Sequence, residues 1–181
     1  QGDWSSDVCS SDLYNTFYDR AEQAVFADYV VLMAYDEHYS GSDAGSVASL
    51  GFVNQGVADT LQEVPADQLI LGIPFYTRLW KLTPTDSEEE PYEVSSEALG
   101  MSEAESRVAA NGATFQWLED CGQYYAEYEY EGSTYQVWLE DQNSIQKKLE
   151  VMEANGLAGA SFWKLGYEKN TVWDTIAAFM D

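Results

Sequence analysis

The sequence predicts an α/β fold: three strands of a parallel sheet, with a small α+β insertion before the last of them. Three observations carry this. Short apolar runs stand at 28–34 (DYVVLMA), 69–75 (LILGIPF) and 157–163 (LAGASFW), the pattern of strands covered on both faces. Segments with apolar residues three and four apart separate them, which is helical spacing. Between the second and third runs the pattern gives way to strict alternation and a two-residue turn, the signature of an antiparallel hairpin.

In chain order, a polar loop rich in Gly and Ser (35–49) follows the first run. A helix is expected over 50–64, with Leu50, Val53, Val57, Leu61 and Val64 on one face, stopped by Pro65. From 77 to 140 the buried-strand pattern is lost. This stretch has an acidic loop at Ser87–Glu90 and a Ser102/Glu105 capping box for a short helix ended by Asn111-Gly112. In Gln123–Tyr130, Tyr124, Ala126, Tyr128 and Tyr130 face one way, and Glu131-Gly132 turns the chain into Ser133–Leu139. A helix over 143–155 carries Ile145, Leu149 and Met152 on one face and ends at Gly156. After the third run, Thr171 is placed to cap a last helix with Val172, Ile176 and Phe179 inward. Strands alternating with helices imply parallel pairing with right-handed crossovers. Three strands fit part of a barrel or a small open sheet, and periodicity does not choose between them.

Residues 1–13 stand apart. Asp3–Leu13 reads DWSSDVCSSDL, repeats Ser-Ser-Asp within nine residues and has neither helical nor strand periodicity. It resembles translated sequencing adapter, so it is read as non-native and set aside, with the sequence before Tyr14 unknown. The working division is 1–13 non-native, 14–76 and 141–181 parts of the parallel α/β unit, and 77–140 the insertion.

Composition narrows the function classes. The 181 residues suffice for one domain with a real core, and 45% hydrophobic with 14% aromatic residues marks a folded chain. No apolar run approaches the roughly 20 residues that span a bilayer. The opening residues show no secretory signal pattern. Eight Lys+Arg against 32 Asp+Glu give a formal net charge of −24. Such a surface repels phosphate backbones and anionic membranes, so neither nucleic acid nor membrane is expected as a partner, while a neutral sugar polymer is compatible. Two distant cysteines, Cys9 and Cys121, define no disulfide framework, and the single histidine, His38, excludes a His-based metal cluster. No cofactor is expected.

Active sites of parallel α/β folds lie at the C-terminal strand ends. There the sequence places Met33, Tyr35, Asp36 and Glu37 at the first strand, Pro74, Tyr76 and Arg78 (with Trp80 beyond) at the second, and Trp163 and Lys164 at the third. Aromatic faces stack on the apolar faces of pyranose rings and carboxylates accept hydroxyl hydrogen bonds, so this combination suits a sugar site. The plain alternative is that Met33 and Trp163 are core and Asp36 a strand-end cap.

Met33-Ala34-Tyr35-Asp36 is similar to the Met-x-Tyr-Asp motif of family 18 glycoside hydrolases. Gly72–Arg78 (GIPFYTR) resembles the next strand of that family, and Gly159–Trp163 (GASFW) its last strand. The wording of 27–50 and 69–80 is closest to the bacterial branch of spore cortex and peptidoglycan glucosaminidases. The resemblance covers about residues 14–181. It implies that the three strands are the sixth, seventh and eighth of a (β/α)8 TIM barrel, here partial. It implies substrate-assisted, retaining hydrolysis of β-1,4 bonds beside N-acetylglucosamine, outside the two-carboxylate scheme. By the resemblance Tyr35 orients the acetamido group, Asp36 binds the acetamido region or hydroxyls, Met33 lines the floor, Tyr76 and Arg78 shape the cleft, and Trp163 is the base under the sugar. The expected partner is an N-acetylglucosamine-containing polysaccharide, chitin or peptidoglycan. The expected location is extracellular, in the cell wall or on the spore.

One departure stands out. The acid of the family closes an Asp-x-x-Asp-x-Asp-x-Glu motif, and no stretch of this sequence matches it. The expectation is therefore a fragment, inactive by itself, of a hydrolase. The alternatives are a non-catalytic, lectin-like sugar-binding barrel and an unrelated open α/β module, against which the three ordered motifs argue.

Overall fold

The computed structural model describes residues 19–180; the 1–13 segment, with Cys9, lies outside the described residues. The elements are α1 (Arg20–Phe26), β1 (Val30–Met33), α2 (Leu50–Thr60), β2 (Leu69–Pro74), β3 (Tyr76–Pro84), β4 (Tyr92–Gly100), α3 (Met101–Ala110), β5 (Gln116–Leu118), β6 (Gln123–Tyr130), β7 (Ser133–Leu139), α4 (Gln142–Ala154), β8 (Gly159–Trp163) and α5 (Thr171–Ala177). They form two sheets. One is three-stranded and parallel, in the order β1-β2-β8; the other is five-stranded and antiparallel, in the order β4-β3-β7-β6-β5.

The parallel sheet buries one face. Leu71, Ile73 and Phe75 pack against Val53 and Val57 of α2, Ile145, Leu149 and Met152 of α4, and Val172 and Ile176 of α5. Phe75 stacks on Phe162 with centroids 4.8 Å apart. Each such side chain contributes about 1.5–3 kcal/mol on burial, so this layer fixes the sheet to its helices. The other face differs from the expectation of strands covered on both sides. Val31 is 50% and Met33 67% exposed. Residues alternate in β1, so Val31 and Met33 share the face that has no layer over it among the described residues.

Helix starts follow side-chain chemistry. Ser49 Oγ accepts from the Phe52 amide at the start of α2, and Asp141 caps α4 with Ser144 answering in a capping box. The capping box expected at Ser102 and Glu105 does not form. Strand β4 runs up to Gly100, the Met101 amide donates to the Tyr167 carbonyl (2.8 Å), and Glu105 pairs with Lys169 instead (2.8 Å). The orphan N–H is satisfied by tertiary packing, so no local cap is needed. Thr171 opens α5 but caps nothing; Asn170 holds the cap position without a side-chain bond.

In the antiparallel sheet, Leu79, Leu99, Ala126, Val137 and Leu139 face α3 through Ala104 and Val108. Glu131 (φ 49°) and Gly132 (φ 77°) both take left-handed backbone, the primed turn that their sequence anticipates between β6 and β7. Strands β3 and β4 were not foreseen. Their nine-residue ladder, from Tyr76↔Gly100 to Pro84↔Tyr92, places Tyr76 at the head of the antiparallel sheet and not at the end of the parallel strand.

Candidate functional site

Beyond β1 the chain passes through buried Ala34, whose amide reaches the Gly72 carbonyl (3.2 Å), and then turns sharply at Asp36. Asp36 has φ 61°, a left-handed conformation that Asp tolerates better than most residues. The turn lays its carboxylate over the start of β3. There the Tyr76 hydroxyl donates to Asp36 Oδ1 at 2.5 Å, and Arg78 Nη2 lies 3.7 Å from the same oxygen. The Asp36 side chain is 47% exposed. The Tyr76 and Arg78 contacts both fall on Oδ1.

The surroundings tune these groups. Tyr76 is buried, and burial together with the bond to Asp36 pushes its phenol far above the ordinary tyrosine range. Burial, then the nearby Asp36 charge, also raise Tyr35, whose ring meets Tyr76 edge-on at 6.3 Å. Both phenols therefore stay protonated at working pH and act as neutral hydrogen-bond donors. Arg78 Nη1 donates to Ser96 (3.3 Å), and its buried Nε has no partner. The half-exposed Asp36 carboxylate leaves hydrogen-bond accepting capacity at the site.

Trp163 ends β8 opposite Pro74, and its carbonyl accepts from the Phe75 amide (2.7 Å). Ser161 pairs with Gly72, which pairs with Met33; two residues on, Trp163 returns to the Met33 face. Trp163 is 56% exposed. The structure thus brings Tyr35, Asp36, Tyr76 and Arg78 into one contacting cluster, with Met33 and Trp163 on the same open face of the adjoining sheet. The arrangement offers phenol donors, one anion, one cation and an uncovered indole, which can bind a polar, ring-shaped, uncharged molecule by stacking and hydrogen bonds.

Other strand-end residues have structural roles. Glu37 accepts from both the amide (2.7 Å) and the hydroxyl (3.0 Å) of Ser49, bracing the start of α2. Trp80, expected just beyond the cleft, is fully buried, and its indole N–H donates to the Gly45 carbonyl (2.8 Å). Sequence reasoning missed Tyr167. Its ring lies 6.4 Å from Tyr76, and Lys164 Nζ sits 5.3 Å over it. The only signal was its position, four residues beyond Trp163 in the loop after the last strand.

A second group was also missed. Glu140 and Lys148 form a fully buried ion pair, with Nζ 2.9 Å from both carboxylate oxygens. Gln123 (2.7 Å) and Ser144 (2.6 Å) donate to the same carboxylate, and Ser46 donates to Gln123. The Glu140 amide donates to Thr77 Oγ1 at 2.7 Å. This network ties the loop after β1, the residue after Tyr76 and the start of α4 to one point. Among the described residues, no group of three or more His, Cys, Asp or Glu side chains converges where a metal could sit. No helix among them is long and apolar enough to cross a membrane.

The chain is similar to several known proteins. The chain is 30% identical over 160 residues to the cortical fragment-lytic enzyme of Bacillus subtilis, covering 86% of this chain and 35% of that protein. It is 27% identical over 151 residues to the sporulation-specific glycosylase YdhD of the same organism, covering 82% and 34%. The chain thus spans about a third of the length of these curated relatives. Among solved structures, a chitinase of Chromobacterium violaceum superposes with a TM-score of 0.81 at 25% identity, over 94% of this chain and 51% of that one. The spore cortex-lytic enzyme SleL of Bacillus cereus gives 0.80 at 24% identity over 90% and 37%, a likeness of fold. The family profile "Glycosyl hydrolases family 18" matches residues 7–168, and the chain belongs to that family.

Proposed function

We propose that this chain forms the substrate-orienting half of a glycoside hydrolase acting on β-1,4 bonds beside N-acetylglucosamine, in chitin or peptidoglycan. The observation that carries it is the Asp36–Tyr76–Arg78 cluster at the strand ends, with Trp163 uncovered on the adjoining face. In this reading β1, β2 and β8 are the sixth, seventh and eighth strands of a (β/α)8 barrel. Residues 14–76 and 141–181 belong to the barrel and 77–140 are the insertion. The uncovered Val31/Met33 face would be the barrel interior. Extracellular action at a cell wall or spore follows from the substrate.

The mechanism is substrate-assisted. The acetamido oxygen of the sugar attacks the anomeric carbon as the glycosidic oxygen leaves with a proton. Tyr35 donates to the acetamido group and fixes its angle of attack. Asp36, held by Tyr76 and Arg78, stabilises the positive charge that develops on the acetamido nitrogen. Met33 lines the floor and Trp163 supports the ring from below. The proton comes from a glutamic acid on an Asp-x-x-Asp-x-Asp-x-Glu strand, a motif these 181 residues do not contain. They are therefore expected to bind saccharide without cleaving it, which a lectin-like protein would also do.

The test measures saccharide binding and product release on N-acetylglucosamine oligomers. It uses the 181 residues alone and the same residues joined to the acid-bearing strands of the B. subtilis relative. Release only from the joined protein, reduced about 10²-fold or more by Asp36→Asn, is the expected result. Release from the 181 residues alone would overturn the assignment of the acid. Joined protein that binds and cleaves equally well with Asp36→Asn and Tyr76→Phe would sink the proposed site.

A further inference from the structure

Strand β5 lies at the edge of the antiparallel sheet and pairs only with β6. Between this edge and the start of α4 is a cavity of about 330 Å³, lined by Trp117, Glu119, Tyr124, Asn143, Gln146 and Lys147. A second cavity of about 350 Å³ continues from Tyr124 past Phe115 toward α3. The three rings form one strip: Trp117 meets Tyr124 at 5.0 Å and Phe115 meets Tyr124 at 6.5 Å, both edge-to-face. The strip shares no residue with the Asp36 cluster.

We propose that this groove is a second saccharide-binding site, in which a neutral pyranose stacks on Trp117 and the sugar chain runs over Tyr124 toward Phe115. Hydrogen-bonding capacity is in place for the ring. Asn143 Nδ2 reaches the Tyr124 hydroxyl (3.5 Å), leaving Oδ1 to accept. Gln146 Nε2 donates to Glu150 (3.0 Å), leaving Oε1 to accept. An amide oxygen beside an aromatic face suits a molecule with one apolar ring face and equatorial hydroxyl or amide donors. The charges select against anions. Lys147 is occupied by Glu150 (2.8 Å), and Glu119 stands exposed at the rim of a strongly acidic protein. A site here would hold a polymer on the protein and raise its local concentration without new catalytic contacts.

The choice of an N-acetylglucosamine oligomer as ligand rests on the function proposed above; the groove itself does not. The protein is titrated with the tetrasaccharide, with heat of binding and tryptophan indole NMR signals followed together. Two sets of signals are expected to move. Trp117→Leu should abolish one set and weaken that site about tenfold or more. Gln146→Ala, at an exposed position that does not threaten folding, should weaken the same set only. Asp36→Asn should affect only the other set. If Trp117→Leu fails to fold, the Gln146→Ala titration decides alone, and a curve superposable on that of the parent overturns the proposal. Binding abolished entirely by Asp36→Asn overturns the groove but leaves the strand-end site standing. Two sets unaffected by Asp36→Asn but lost with the groove variants sink the strand-end reading instead, and absence of any binding overturns both.

Discussion

Among the described residues, Lys148 is the one cation touching the Glu140 carboxylate, which has no exposure at all, and replacing it with Met removes that contact. The methyl-capped stem fills similar space, so the effect is electrostatic. Glu140 keeps its bonds from Gln123 and Ser144 but loses both Lys148 contacts. Stranding one partner of a buried pair costs about 3–5 kcal/mol, a large share of the 5–15 kcal/mol of stability usual for a domain. For a chain of this length that is a fall in Tm of roughly 6–20 °C. The deficit should depend on pH in a fixed direction. Desolvation raises the Glu140 pKa even with Lys148 opposing it, and without Lys148 it rises further. A folded-state pKa above the unfolded value means that the native protein binds the proton more tightly, so stability is lost as pH rises through the folded pKa and recovered on acidification. Urea unfolding in dilute solution, read by tryptophan fluorescence from pH 8 to pH 5, measures this. Two controls isolate the pair. Lys147→Met removes the same charge from a solvent-facing neighbour and should leave stability nearly unchanged. Glu140→Gln combined with Lys148→Met leaves no buried charge and should recover most of the loss. A Lys148→Met cost near that of Lys147→Met, or a deficit that grows toward low pH, would refute the reasoning.

Other tests follow from the same geometry. Tyr35, Tyr76, Tyr125 and Tyr128 all have phenols raised by burial first. Ultraviolet titration should therefore show these four ionising only as the protein unfolds. Stability should be intact below pH 10 and fall above it, since raised folded-state values favour the native form only while the phenols are neutral; one smooth transition of all tyrosines in the folded state would contradict this. Gly72→Ala puts a methyl group 2.7 Å from the Leu32 carbonyl and 3.2 Å from Met33 Cα, backbone that cannot yield cheaply. A loss of about 1–3 kcal/mol is expected, and an unshifted urea midpoint would show that β1 and β2 separate more easily than the ladder implies. The outer edges of β1 and β8 are unpaired among the described residues, and Tyr29, Val31 and Met33 stand exposed beside the first. The 181 residues produced alone should therefore associate with rising concentration, as light scattering reads, and Val31→Lys should suppress this. A monomer that unfolds cooperatively at every concentration would show that the open edge is harmless.

How far the sequence discloses the molecule depends on which signals are local. The three parallel strands were legible because their apolar runs are short and bounded by polar or turn residues. The β6–β7 hairpin was legible from Glu131-Gly132. Strands β3 and β4 were not. β3 mixes Trp80 and Leu79 with Arg78 and Lys81, and β4 carries Glu93 and Glu97 on a strand whose one buried residue is Leu99, so neither shows clean alternation. What makes them strands is their pairing with each other and with β7, a long-range contact that a window along the chain does not see. α1 was missed for the opposite reason: it is one short element with a single buried residue, Ala24, and an Asp19 cap whose signal is common in loops.

The candidate site divides along the same line. Tyr35, Asp36, Tyr76, Arg78 and Trp163 could be named because strand ends are where a parallel fold puts chemistry. Nothing in the sequence says that Asp36 adopts positive φ, or that Tyr76 leaves the parallel strand to head another sheet; these two facts together bring hydroxyl and carboxylate to 2.5 Å. The Glu140–Lys148 pair was the least legible feature, since Glu140 reads as one acid among 32 acidic residues and Lys148 as half of an ordinary Lys-Lys step on a helix. Their burial follows from where the insertion rejoins the parallel unit. Thr77, next to Tyr76, takes the Glu140 amide, while Ser46 reaches the same network from the loop that Asp36 begins. The arms of Asp36 and Tyr76 are thus anchored on one buried ion pair. Weakening that pair should loosen the site before it unfolds the sheets, so saccharide affinity should fall in Lys148→Met even under conditions where the variant remains folded.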